Sequence, residues 1–150
     1  MATYNVTGAG GTTGHPANGR TPYLVENTID MSAFDPAAGD IIQAIDVPAE
    51  TLVMSAGLEV LTASSSSVTF DLGITGSTAG HEDPDAFVDA YDATGTGYAP
   101  MDATDASAML VCKVADTIDI LTAGAQDTAG KVRVWAVLCD ISGVDETDHN

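Results

Sequence analysis

The amino-acid sequence predicts an all-β protein: a single β-sandwich of about eight antiparallel strands, jelly-roll-like, preceded by a flexible N-terminal arm. Apolar and polar residues alternate over stretches of five to eleven residues, as they do in strands with one buried face. Gly, Pro, Asp and Ser separate these stretches at short intervals, and no stretch has convincing helical spacing. Eight such strands in two sheets are typical of a jelly roll, although another Greek-key sandwich fits the same pattern.

The segment Lys131–Ile141 is the strongest predicted strand. One parity of this strand is apolar throughout and consists of Val132, Val134, Ala136 and Leu138. The other begins with Lys131 and Arg133 and becomes apolar at Trp135, Val137 and Cys139. Because successive side chains point to opposite faces, we expect a central strand whose second face is exposed to solvent near Lys131 and Arg133. Further along, that face should be covered by a second sheet or another subunit.

The same alternation predicts seven further strands. In chain order they are Thr21–Ile29, Asp40–Val47, Leu52–Leu61, Ser67–Ile74, Ala86–Tyr91, Ala108–Val114 and Thr117–Thr122. Asp-Pro and Gly-Asp mark a turn between the first two, and Pro48 ends the second because it cannot donate to a sheet ladder. Gly57 disfavours a helix in the third and suggests a bend or bulge there. In the seventh, Ile118 and Ile120 are expected to face inward, and Thr117 and Asp119 outward.

The loop between the last two strands is predicted to join them as an antiparallel hairpin. Centred near Gln126, this hairpin would place Asp119 across from Arg133 and thereby help to set the register.

The domain organisation is predicted from glycine content and polarity. Residues 1–19 contain five glycines and little that could be buried, which predicts an arm that is either disordered or laid across a neighbouring subunit. Residues 20–143 form the β-sandwich, and the polar, acidic residues 144–150 form a loose tail.

The charge of the chain excludes several classes of partner. The formal net charge is -18, with only four Lys and Arg, so the chain would repel the phosphates of nucleic acid and anionic lipid. No apolar run is long enough for a membrane span, and the N-terminus lacks the basic and apolar segments of a secretory signal. We therefore expect neither nucleic acid nor membrane as a partner, and a protein made in a cytoplasm.

No catalytic, cofactor or metal site is predicted. Asp83, Asp85 and Asp89 are weak candidates for a calcium site, but their spacing does not fit the twelve-residue calcium loop, and an acidic surface loop is the favoured interpretation. The three histidines lie outside the predicted strands. Cys112 and Cys139 lie in apolar runs and are predicted to be buried free thiols. These features argue against an enzyme.

The Gly-rich start and four stretches form a distinctive layout: PYLVENTIDM, DIIQAIDVPAETLVMSAGLEVL, VTFDLGITG and KVRVWAVLCDISG. Over residues 20–143 this layout resembles the small structural proteins that decorate or cement the heads of tailed phages. The resemblance implies a β-sandwich that trimerises on the capsid exterior, bridges subunits of the major capsid protein and holds them against internal DNA pressure. It transfers no site residues.

Candidates for subunit contacts therefore come from this chain alone, and they are Lys131, Arg133, Trp135, Lys113, His15 and Arg20. Three of these residues, Lys113, Lys131 and Arg133, are hypothesised to lie near the C-terminal sheet and to reduce the electrostatic repulsion between acidic copies of the chain.

The alternative function is a recognition module of a phage fibre or adhesin. Such a module would bind a glycan or a host surface, with or without the help of calcium held between Glu82 and Asp92. Tyr91 and Tyr98 are the best aromatic candidates for a sugar contact.

Overall fold

The computed structural model describes residues 1–7, 21–76, 82–99, 101 and 109–142. Within these ranges, ten strands and one turn of 3-10 helix (Met31–Ala33) make up the regular structure. The strands are β1 (Thr3–Asn5), β2 (Tyr23–Asp30), β3 (Ile41–Val47), β4 (Thr51–Thr62), β5 (Val68–Ile74), β6 (Asp83–Asp92), β7 (Gly97–Ala99), β8 (Leu110–Cys112), β9 (Asp116–Gly124) and β10 (Lys131–Asp140). In this part of the chain, no helix is long and apolar enough to cross a membrane.

The strands form two five-stranded sheets. Sheet A has the order β1-β3-β9-β5-β6, and sheet B has the order β2-β10-β4-β7, with β8 also paired to β4. Every pair is antiparallel except β1 with β3. The chain changes sheet at each step from β2 to β5 and again from β9 to β10, which wraps it around the core as in a jelly roll. The predicted all-β sandwich is confirmed.

The core lies between the two sheets and consists of the side chains that the alternation predicted to face inward. Val132, Val134, Ala136 and Leu138 of β10 are fully buried. They meet large side chains of sheet A, including Phe70, Phe87, Ile42, Ile45 and Ile120. All eight predicted strands are present, although β6 begins earlier, at Asp83, and β8 is only three residues long. The short strands β1 and β7 were not predicted.

The predicted hairpin between β9 and β10 is wrong. β9 lies in sheet A between β3 and β5, whereas β10 lies in sheet B between β2 and β4. Asp119 is therefore opposite Gln43 and Gly73 rather than Arg133. The connecting loop crosses from one sheet to the other because it is folded around Asp127.

Asp127 is a buried carboxylate that ties three segments together at this end of the sandwich. Its side chain accepts hydrogen bonds from the Ser64 hydroxyl (2.8 Å) and from the backbone N–H groups of Ser65 (3.3 Å), Ala129 (3.2 Å) and Gly130 (2.9 Å). Its own N–H donates to the carbonyl of Pro36 (3.0 Å). Because the Asp127 carboxylate accepts these hydrogen bonds, the backbone N–H groups of the loop are satisfied without the tight turn of a β-hairpin.

Residues 1–7 are held on the edge of sheet A. β1 runs parallel to β3, the Ala2 N–H donates to the Asp40 carboxylate (2.5 Å), and the Asn27 side-chain amide donates to the carbonyls of Val6 and Ala44 (2.9 Å each). The flexible arm predicted for residues 1–19 thus begins with an ordered strand. Residues 8–19, and the predicted tail at 144–150, lie outside the described residues.

Candidate subunit interface

The outer face of sheet B carries three of the six residues that the sequence singled out for subunit contacts, Lys131, Arg133 and Trp135. We use this name for the outward side chains of β2, β10, β4, β7 and β8. On β10 the outward residues Lys131, Arg133, Trp135 and Val137 are all half-buried, while each residue between them is fully buried. The predicted change from charged to apolar side chains therefore lies on one continuous surface, which no strand among the described residues covers.

Two ion pairs occupy one half of this face, which we call the polar half. Lys131 Nζ lies 3.3 Å from the Asp30 carboxylate on β2, and the Arg133 guanidinium contacts the Glu59 carboxylate on β4. Each pair joins residues that are opposite one another in the antiparallel register. Hydrogen bonds from Ser32, followed by the contact with Lys131, lower the pKa of Asp30. Both cations are thus neutralised within the chain.

Trp135 forms an aromatic pair that extends across β4. Its ring stacks on the Tyr98 ring of β7, with centroids 6.3 Å apart and planes 10° from parallel. The ring passes over Gly57, its register partner, and a Cβ at residue 57 would lie 2.6 Å from a Trp135 ring carbon. Gly57 therefore makes room for the ring. The register of β4 with β10 shifts elsewhere, between Lys131 and Val132 and between Val137 and Leu138.

Apolar side chains cover the remaining part of the face, which we call the apolar half. Leu24 is 54% exposed and lies opposite Val137, and Tyr98 is also 54% exposed. The half consists of Leu24, Leu52, Met54, Tyr98, Trp135 and Val137, and it also contains two polar residues, Glu26 opposite Trp135 and Ser55 opposite Val137. Val111 of β8 pairs with Leu52 at its margin, where Met109 is 60% exposed. A solvated β-sheet face is ordinarily polar, so this composition is typical of a contact surface.

The outer face of sheet B is close to electrically neutral. Its outward positions hold three of the 22 acidic residues, Glu26, Asp30 and Glu59, together with two of the four basic ones, Lys131 and Arg133. Lys113, just after β8, is exposed at the far end. The net charge of -18 therefore belongs almost entirely to the rest of the molecule.

The structure brings together only some of the predicted contact residues. Lys131, Arg133 and Trp135 lie side by side on β10, whereas Lys113 lies apart from them, beyond the edge strand. His15 and Arg20 lie outside the described residues. Gly57 and Tyr98 complete the site, and the sequence signal for Gly57 was a glycine within an apolar strand that can accommodate an aromatic ring from its neighbour.

The candidate calcium ligands lie on a strand at the edge of sheet A rather than in a loop. Interaction with the Asp83 side chain, followed by burial, raises the pKa of Asp85. Across the described ranges, no group of three or more His, Cys, Asp or Glu side chains could hold a metal ion. Tyr91, an aromatic candidate for glycan binding, packs partly buried against the core.

The two cysteines are buried on strands that flank β4. Cys112 is the register partner of Thr51, and Cys139 that of Leu52. Two strand spacings, about 10 Å, separate such positions, which is too far for a disulfide. Burial, with a contribution from Asp116, raises the pKa of the Cys112 thiol to about 11, so this thiol is unreactive at neutral pH.

Solved structures with this fold include chains of phage capsids. A chain of the capsid of Ralstonia phage GP4 aligns with a TM-score of 0.71 and 18% identity, over 93% of this chain and 98% of its own length. A chain of the cyanophage Pam1 capsid aligns with a TM-score of 0.57 and 18% identity, over 87% and 94%. A chain of the acid-stable capsid of Helicobacter pylori bacteriophage KHP30 aligns with a TM-score of 0.56 and 12% identity, over 79% of this chain and 86% of its own length. No protein-family model matches the chain, and no curated protein matches it in sequence.

Proposed function

We propose that this protein is a structural component of a phage virion that decorates the capsid exterior. In this role, it trimerises and bridges major capsid subunits, stabilising the shell against internal pressure. The observation that carries the proposal is the fold shared with capsid chains of three phages, because the alignments extend over most of both chains in each case. The role is structural rather than catalytic.

The distribution of charge supports a position on the outside of the shell. A chain of net charge -18 is repelled by packaged DNA, so an inner lining is electrostatically unfavourable. The same charge on an exterior protein faces solvent and keeps free copies soluble. The near-neutral outer face of sheet B supplies a surface on which protein can pack.

A decoration protein also needs a contact with the shell, and the N-terminal segment is our candidate for it. Residues 1–7 include β1, the end strand of sheet A, and His15 follows them within the segment, which Arg20 borders. We propose that residues 1–19 contribute to binding the major capsid protein.

Co-sedimentation with phage heads that lack this protein tests the proposal. We expect the full chain to bind saturably to the outside of such heads and to raise the temperature at which they lose DNA. Deletion of residues 1–19 should abolish binding, whereas deletion of residues 144–150, the matched control, should not. The first deletion also removes β1, so its folding must be checked by thermal unfolding.

A chain that ignores the heads would contradict the decoration role. If that chain instead bound a surface glycan, the recognition-module alternative would replace our proposal.

A further inference from the structure

We infer that a second copy of this chain packs on the apolar half of the outer face of sheet B. The inference rests on the self-association contained in the proposed function and names the surface responsible for it. It does not depend on how the protein binds the shell.

The first argument is the contrast between the outer faces of the two sheets. The outward positions of sheet A are mostly polar and include Gln43, Asp46, Thr69 and Asp71, while the apolar residues Ile41 and Leu121 on the same face are half-buried. The apolar half of sheet B instead exposes Leu24 and Tyr98 to more than half of their full extent. Since one chain follows the polar-outward rule on one sheet and breaks it on the other, the exception indicates a surface that is buried in the assembly.

The second argument is charge, and it selects the occupant. Two copies that each carry a net charge of -18 repel one another strongly unless they meet where local charge is balanced. On the outer face of sheet B, Lys131 and Arg133 are already paired with Asp30 and Glu59. The net charge that remains on this face is that of one carboxylate, Glu26 opposite Trp135, which is small beside the -18 of the whole chain. A strongly basic partner would gain more by binding the acidic surfaces elsewhere on the molecule.

The third argument is preorganisation. The Trp135 ring is held between the glycine gap at residue 57 and the Tyr98 ring, so it loses little conformational freedom on binding. Trp and Tyr are also the residue types that most often dominate binding energy at protein interfaces. The apolar half thus contains a rigid aromatic centre flanked by the aliphatic side chains of Leu24 and Val137.

The test is the mass of the full chain in solution, measured by sedimentation at several concentrations, for a matched pair of variants. Leu24→Lys and Thr28→Lys add the same charge on the same strand and face, at exposed positions about 13 Å apart. We expect the wild type to be an oligomer, and we expect Leu24→Lys to raise its dissociation constant about tenfold or more. Thr28→Lys, in the polar half, should leave the mass unchanged. Tyr98→Ser provides a second disruption at another exposed position.

Three outcomes would overturn the inference. If the wild type is an oligomer that survives Leu24→Lys and Tyr98→Ser, copies associate through another surface, while the proposed self-association stands. If Thr28→Lys dissociates the oligomer as strongly as Leu24→Lys, the apolar half is not the contact. A wild-type monomer would refute self-association itself, and head co-sedimentation would then show separately whether decoration survives.

Discussion

Gly57→Ala should displace the aromatic pair on the outer face of sheet B. The new Cβ would lie 2.6 and 2.8 Å from two ring carbons of Trp135 and 3.0 Å from the Ala99 carbonyl oxygen. Overpacking of this kind costs about 1–3 kcal/mol, and loss of the Tyr98 stack adds about 0.5–1.5 kcal/mol. Alanine is better than glycine within a strand by about 0.5–1 kcal/mol. We expect a net loss of about 0.5–4 kcal/mol in the free energy of unfolding.

Urea unfolding followed by tryptophan fluorescence measures this effect directly, because Trp135 is the only tryptophan in the chain. The emission of the folded state should also change, since the ring must leave its position. Gly95→Ala is the matched control: a Cβ there meets nothing within 4 Å, so stability should be unchanged or slightly higher. In a Trp135→Ala background, followed by circular dichroism, the Gly57→Ala penalty should disappear. Equal stability of Gly57→Ala and Gly95→Ala, with unchanged emission, would refute this account of the site.

Three further predictions concern buried or hydrogen-bonded carboxylates. Asp127→Ala should lower the free energy of unfolding by about 3–5 kcal/mol in urea titrations, because it leaves several buried donors unsatisfied; Asp127→Asn, which keeps one acceptor, should cost less. The pKa of Asp40 is lowered by hydrogen bonds from the backbone of Ala2 and Ala37. The Asp40 carboxylate therefore contributes to the free energy of unfolding above pH 3.8, and this contribution is lost as the pH falls through the folded-state pKa. The difference in stability between wild type and Asp40→Asn should close over that pH range. Burial raises the pKa of Asp119, so acidification from neutral pH towards 3.8 should stabilise wild type relative to Asp119→Asn, and a pH-independent gap would contradict this.

The strands could be predicted from the sequence because their cause is local. Alternation between apolar and polar residues follows directly from which face of a strand is buried, and in β10 it correctly separated Val134 from Arg133. The same pattern contains no information about which strands become neighbours. Asp119 and Arg133 were therefore placed together, although they lie in different sheets.

The parts of the structure that could not be predicted depend on contacts between residues distant in sequence. In the sequence, Asp127 has the pattern of an ordinary turn residue, and its role depends on the hydrogen bond from Ser64, which is distant in sequence. Gly57 likewise has the pattern of a strand interruption, and its role depends on the Trp135 ring that lies over it. β1 was missed because Thr3–Asn5 is too short to show a period, and it is held by residues such as Asp40 and Asn27. The apolar half of the outer face of sheet B was anticipated only at Trp135, because a lone tryptophan is conspicuous in the sequence and Leu24 is not.

The measurement that tests the central claim most directly is electron cryomicroscopy of phage heads that lack this protein, after saturation with the purified chain. The account predicts density for a cluster of three jelly rolls on the outer surface, above junctions between shell subunits. Within each cluster, the outer face of sheet B should be turned towards a neighbouring copy. Bare heads, or density on the inner surface of the shell, would contradict the account.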